Sequence, residues 1–146
     1  MSIEERNKKA VYRLNEAVNK GDFSIFPDLF APNYVYHVNP EIKGPEGAQT
    51  LLTTMQNAFP DYHEKIEYIF AEGDMVAQFY LLTGTFKGAL AGVNPTGKHL
   101  SFPMVVLSRF ENGKQVEAWN YSNPLAMAQQ LGISPSFQTP KSSKIE

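Results

Sequence analysis

At Pro60 the apolar residues of this chain stop recurring with the period of a helix and begin to alternate like those of a strand. Upstream, Ala48, Leu51, Leu52, Met55, Ala58 and Phe59 form one helical stripe, opened by Gly44-Pro45-Glu46 with proline at the first helical position and an acid in the first turn. Downstream, Tyr62, Ile66, Tyr68 and Phe70 alternate with His63, Lys65 and Glu67. Helices followed by strands, rather than strands and helices in alternation, define an α+β domain whose helices gather on one face of an antiparallel sheet.

The helical half holds further pieces. Ser2 and Glu5 make an S-x-x-E capping box, and Ala10, Val11, Leu14, Ala17 and Val18 repeat behind it until Gly21 supplies a stop. Asp22 can cap a short second helix in which Phe23, Phe26, Leu29 and Phe30 share a face, broken or 3₁₀-like because of Pro27. Residues 33–38 read as an early strand. In the second half Gly73-Asp74 marks a hairpin into a strand over 75–86, and Asn94-Pro95-Thr96-Gly97 turns the loop 88–97. A strand over 99–110 follows, where Pro103 demands a bulge or an edge position, and Asn112-Gly113 closes a hairpin into 115–123. Asn123-Pro124 then starts a last helix over 125–131, ended by Gly132. A sheet this long and this bulged curls, and helices closing it leave a concave cavity, the default ligand site of a small domain. The expected organisation is a single domain over 1–132 and a loose tail over 133–146, rich in Ser, Pro and Lys.

Composition narrows the partners. With 13 basic and 15 acidic residues the net charge is −2, and there is no Lys/Arg cluster beyond Lys8-Lys9, so no nucleic acid partner is expected. The start, Met1-Ser2-Ile3-Glu4-Glu5-Arg6, is acidic and polar where a secretory signal is basic and then apolar, and no apolar run approaches the ~20 residues of a membrane span. A cytoplasmic protein without a membrane partner is the expectation. The lack of cysteine excludes thiol catalysis and Cys-ligated metals, and no His pair, H-E-x-x-H, P-loop, dinucleotide fingerprint or G-x-S-x-G elbow occurs, so neither metal nor cofactor is expected. Ten Phe, seven Tyr and one Trp are available to line a pocket as readily as a core.

Eight short segments stand out in order: Tyr36-His37, Gly44-Pro45-Glu46-Gly47, Ala58-Phe59-Pro60-Asp61, Ala71-Glu72-Gly73-Asp74, Leu82-Thr83-Gly84-Thr85, Asn94 to Lys98, Asn112 to Trp119, and Gln129-Gln130-Leu131-Gly132. In order and spacing they resemble the SnoaL-like polyketide cyclase or ester cyclase group of the nuclear-transport-factor-two-like superfamily, from about residue 5 to residue 132. The resemblance implies a cone-shaped, cystatin-like α+β barrel: a curved antiparallel sheet covered by N-terminal helices, with a deep apolar pocket between them. It implies a homodimer joined through the outer face of the sheet. It further implies cofactor-independent intramolecular aldol closure, in which an acid/base side chain removes an acidic proton and hydrogen bonds stabilise the enolate. In the cyclases that this sequence resembles most, that group is an Asp four residues after the strand Trp. Here the position holds Asn123, whose amide takes no proton at neutral pH.

Strand parity places Glu117, Trp119, Tyr121 and Asn123 on one face and Val116, Ala118, Asn120 and Ser122 on the other. The first set is expected to wall the pocket. Trp119 suits core and pocket wall alike, and Asn123 suits ligand contact and helix N-cap alike. His37 falls among alternating aromatics, where similar sequences place a His near the pocket; a satisfied structural histidine is the plainer reading. If the site is catalytic, His37 or Glu117 must move the proton, Glu117 only if apolar burial raises its proton affinity. Met55, Phe59, Phe79 and Met104 are expected to shape the cavity, although such a stripe also serves as plain core. The expected ligand is a hydrophobic small molecule with a carbonyl or ester group, cyclised or isomerised by acid/base chemistry. The alternative is a non-catalytic ligand-binding or accessory protein that has lost the Asp.

Overall fold

The structure, a computed structural model, describes residues 1–134. Of the expected tail only Ile133 and Ser134 fall within it, and Ile133 packs on the core rather than leaving it; residues 135–146 lie outside the described residues.

Local signals set most element ends. Ser2 Oγ accepts from the Glu5 N–H at 3.1 Å and starts α1 (Ile3–Lys20), which Gly21 ends in the left-handed region at φ 69°. The phenylalanine cluster folds around one helical turn, α2 (Phe26–Leu29), with Phe26 edge-on to both Phe23 and Phe30 at 5.1 Å. β1 (Phe30–His37) begins at Phe30 rather than Asn33, and its ladder is interrupted between Phe30 and Val35, where Pro32 falls. A two-residue strand, β2 (Ile42–Lys43), is too short to show a period in the sequence; it pairs with β1 and leads into α3 (Gly44–Ala58). The rest follows the expected order: β3 (His63–Glu72), β4 (Met75–Thr85), β5 (His99–Glu111), β6 (Lys114–Tyr121) and α4 (Pro124–Gln130).

The strands form one curved sheet in the order β2-β1-β6-β5-β4-β3. One pairing departs from an all-antiparallel sheet: β1 runs parallel to β6. The direction of a partner about eighty residues away is a tertiary outcome that local periodicity does not carry. Pro103 takes an edge-like position, because β6 pairs with β5 only from Val105 onward.

The core lies between the helices and the concave face, built around Phe26, Phe59, Phe86, Leu100 and Leu131. Several of the conspicuous sequence segments tie this layer together. Phe59 stacks on Phe86 at 5.6 Å, and a Cβ placed on Gly84 would stand 2.9 Å from the Phe59 Cβ, so the glycine lets β4 pass beneath the ring. Asp61 accepts from the Thr85 N–H at 2.7 Å and the Thr85 hydroxyl at 2.8 Å. Thr96 donates to the Leu131 carbonyl at 2.7 Å, and the Gln130 amide exchanges two bonds with the Ser101 backbone.

The alternation after Pro60 changes hands once. A bulge in β3 between Ile66 and Tyr68 keeps Tyr62, Glu64 and Ile66 on the concave side but turns Tyr68 and Phe70 outward, where they are 63% and 61% exposed. The expected single face of Tyr62, Ile66, Tyr68 and Phe70 is thus split between two surfaces. No helix among the described residues is long and apolar enough to cross a membrane.

Candidate functional site

Between α1, α3 and the concave face lies a cavity of about 380 Å³, within the usual range for small-molecule sites. Leu14 and Val18 come from α1, Leu51, Leu52 and Met55 from α3, and Met104 and Val106 from β5. Polar groups gather on the sheet side: Tyr36, Tyr62, Glu64, Gln78, Tyr80, Ser108 and Asn120. Among the described residues Glu64 is the one carboxylate in this lining, with no His, Lys, Arg or Asp beside it.

Why Glu64 stands there follows from the sheet. β3 is an edge strand, so its free backbone groups need partners. Asn15 and Asn19 supply them at Glu64: the Asn19 Oδ1 accepts from the Glu64 N–H at 2.8 Å, and the Asn15 and Asn19 amides donate to the Glu64 carbonyl at 2.8 and 2.9 Å. The Tyr62 hydroxyl donates to Glu64 Oε1 at 2.5 Å. Burial pushes the Glu64 carboxyl above the usual carboxylate range, and the Tyr62 bond partly opposes this. On the neighbouring wall the Asn120 amide donates to the Tyr36 hydroxyl at 2.7 Å, and Ser108 donates to Gln78 at 3.2 Å. Burial raises the Tyr36 and Tyr80 hydroxyls as well, so both stay protonated.

The expected site residues divide. Met55 and Met104 line the cavity. Phe59 does not: it is fully buried core against Phe86. Phe79 lies on the outer face, edge-on to Tyr68 and Phe70 at 6.0 and 6.1 Å. The two parity sets of β6 are as expected, but the cavity takes the other one: Asn120 and Ser122 line it and Ala118 joins the core, while Glu117, Trp119 and Tyr121 face outward. Asn123 is absent from the lining and caps α4, its Oδ1 accepting from the Ala126 N–H at 3.1 Å.

His37 and Glu117 do meet, on the outer face. His37 Nε2 lies 2.8 Å from Glu117, its Nδ1 lies 2.7 Å from Glu41, and the ring stacks on Trp119 at 5.2 Å. Arg109 holds the other Glu117 oxygen at 2.7 and 2.8 Å. The bonds to Glu117 and Glu41 raise the His37 pKa, and those to His37 and Arg109 lower that of Glu117. Glu117 is therefore a paired carboxylate, the reverse of the acid that proton delivery would require. Sequence reasoning passed over Glu64, Asn120 and Tyr36; a carboxylate on the same parity as Tyr62 and Ile66 was the available signal.

An apolar chamber under a curved sheet, with a small polar wall of tyrosines, amides and one buried carboxyl, defines an α+β fold of the nuclear-transport-factor-two type. The chain belongs to the SnoaL-like polyketide cyclase family, which matches residues 8–131. Aklanonic acid methyl ester cyclase DnrD of Streptomyces peucetius is 33% identical over 129 residues, covering 84% of this chain and 88% of that one. Among solved structures, IdmH of Streptomyces antibioticus, assigned to the polyketide cyclases, superposes with a TM-score of 0.74 at 31% identity, covering 87% of this chain and 99% of its own. A chain from Jannaschia sp. CCS1 assigned to the SnoaL-like cyclases reaches 0.82 at 25% identity, over 92% and 97%.

Proposed function

We propose that this protein is a cofactor-independent enzyme that closes a ring by intramolecular aldol addition, or carries out a related isomerisation, on a hydrophobic carbonyl or ester compound. The observation that carries this reading is the cavity: about 380 Å³, apolar over most of its lining, with hydroxyl, amide and carboxyl groups collected on one wall. Apolar walls take a ring system, and hydrogen-bond donors on one side orient its carbonyls. The name of the relative DnrD gives a probe of this class, aklanonic acid methyl ester. The protein is expected to bind this ester and convert it to an isomer of unchanged mass. Val106→Trp, which fills the cavity, is expected to weaken binding by about 100-fold or more while the melting temperature holds. Equal affinity in both proteins would show that the ester binds elsewhere than in the cavity.

One observation favours the second reading, a non-catalytic binding or accessory protein: Asn123, where the resemblance expects the acid/base Asp, is occupied in capping α4. Binding of the ester without any conversion would select that reading.

A homodimer through the outer face is part of the same proposal. Tyr68, Phe79, Val105 and Tyr121 are successive cross-strand partners, so one apolar row crosses β3, β4, β5 and β6. Tyr68 and Tyr121 are 63% and 62% exposed in the single chain, more apolar surface than a monomer usually leaves open in one row. Light scattering is expected to give twice the 16.4 kDa chain mass, and Phe79→Glu, which buries a charge in the contact, is expected to return the monomer. A wild-type mass of one chain would overturn the dimer.

A further inference from the structure

We propose that Glu64 is the proton-transfer group of the cavity, removing a carbon-bound proton from a bound β-keto ester or β-diketone, while the Tyr36 hydroxyl donates to the enolate oxygen. The assignment rests on the cavity being the site of ring closure, and it places the chemistry on residues quite different from His37, Glu117 or Asn123.

Of the described side chains lining the cavity, the tyrosines, amides and Ser108 hold their protons near neutral pH, and Glu64 alone offers a basic oxygen. Its backbone is fixed on both sides, by Leu82 of β4 across the ladder and by Asn15 and Asn19 of α1 on the free edge, so the carboxyl is held at a defined point of the wall. Tyr62 occupies only Oε1; Oε2 has no hydrogen-bond partner among the described residues. Tyr36 accepts from Asn120, which leaves its own proton to donate into the cavity. Burial and the nearby Glu64 charge keep that hydroxyl protonated.

The step balances without any co-reactant. The carboxylate takes the hydrogen between the two carbonyls as a proton, and the C–H electron pair becomes the enolate. The enolate carbon bonds to a ketone carbon of the same molecule, the π pair of that ketone moves to its oxygen, and the oxygen recovers the proton from the Glu64 carboxyl. Nothing is oxidised or reduced, and the product is an isomer.

The test follows hydrogen–deuterium exchange at the acidic carbon of a tetralone-type methyl β-keto ester in heavy water, with binding of the same probe read by fluorescence quenching. Wild type is expected to accelerate exchange above the buffer rate, and Glu64→Gln to lose about 100-fold or more of that acceleration with probe affinity and melting temperature preserved. Tyr62→Phe supplies a second readout that holds even if Glu64→Gln folds poorly. The groups facing Glu64 are Tyr62, Tyr36 from β1 and Tyr80 from β4, with only neutral amides from α1. Because the Tyr62 bond stabilises the carboxylate, its loss should move the midpoint of the exchange–pH profile upward. Exchange undiminished in Glu64→Gln, or a midpoint unmoved in Tyr62→Phe, would overturn the role of Glu64 and leave cavity binding intact. Binding without exchange by the wild type would also overturn it, in favour of a carrier, and absence of binding would remove both proposals.

Discussion

Phe59→Ala should cost about 3–5 kcal/mol of folding free energy, and it should do so without weakening binding of a cavity ligand. The ring is fully buried, stacked on Phe86 and pressed against Gly84, so its removal empties a space that neither β4 nor the end of α3 can collapse to fill. Against a typical stability of roughly 5–15 kcal/mol, that is a large share, equivalent to a fall of roughly 10 °C or more in melting temperature. Phe59→Leu should recover part of it. Urea titration of both variants decides the matter: a loss below about 1 kcal/mol for Phe59→Ala, together with a weakened ligand, would return Phe59 to the cavity wall.

Gly88→Ala should be comparably damaging for a different reason. Gly88 is not among the residues with positive φ, so its backbone is open to alanine; the obstacle is contact. A Cβ there would stand 2.1 Å from the Asn57 carbonyl oxygen, which is backbone and cannot rotate away. The segment cannot retreat cheaply, because the Lys87 and Gly88 N–H groups both donate to the Ala58 carbonyl at 2.9 and 3.0 Å. Separating the loop from α3 gives up these bonds along with the packing, a loss of about 3 kcal/mol or more. Equilibrium unfolding of Gly88→Ala would show a lowered midpoint with an unchanged slope; an unchanged midpoint would mean that loop and helix part freely. In the sequence Gly88 reads as one more turn residue, and only the fold reveals that it marks a close approach.

The elements that were legible had chemical punctuation. The capping box and Gly21 bound α1, Pro45 opens α3, and Gly73-Asp74 and Asn112-Gly113 set the two hairpins. β2 escaped because two residues carry no period, and the parallel β1–β6 pairing escaped because it is a tertiary choice. For the site, the two faces of β6 were readable and their assignment was not. Large aromatics at 119 and 121 suggest an interior, yet the pairing of β6 between β1 and β5 turns them outward and brings Asn120 and Ser122 to the cavity. Met55 was legible because the apolar stripe of α3 has only the sheet to face, whereas the faces of β4 and β5 follow from the ladder, which brings Met104 to the cavity and leaves Phe79 outside. Glu64 was hidden in plain alternation, its meaning supplied only by the aromatic residues that close over it.

The irregularity between Ile66 and Tyr68 divides β3 into an inward and an outward part. Ten consecutive residues of β3 furnish two unrelated surfaces, so selection for a new small molecule and selection for a new association can act on the same short stretch without competing. The cost of that economy is fragility to changes in length: gaining or dropping one residue there would swap the two surfaces wholesale, which makes this spot far less forgiving of insertions than of substitutions.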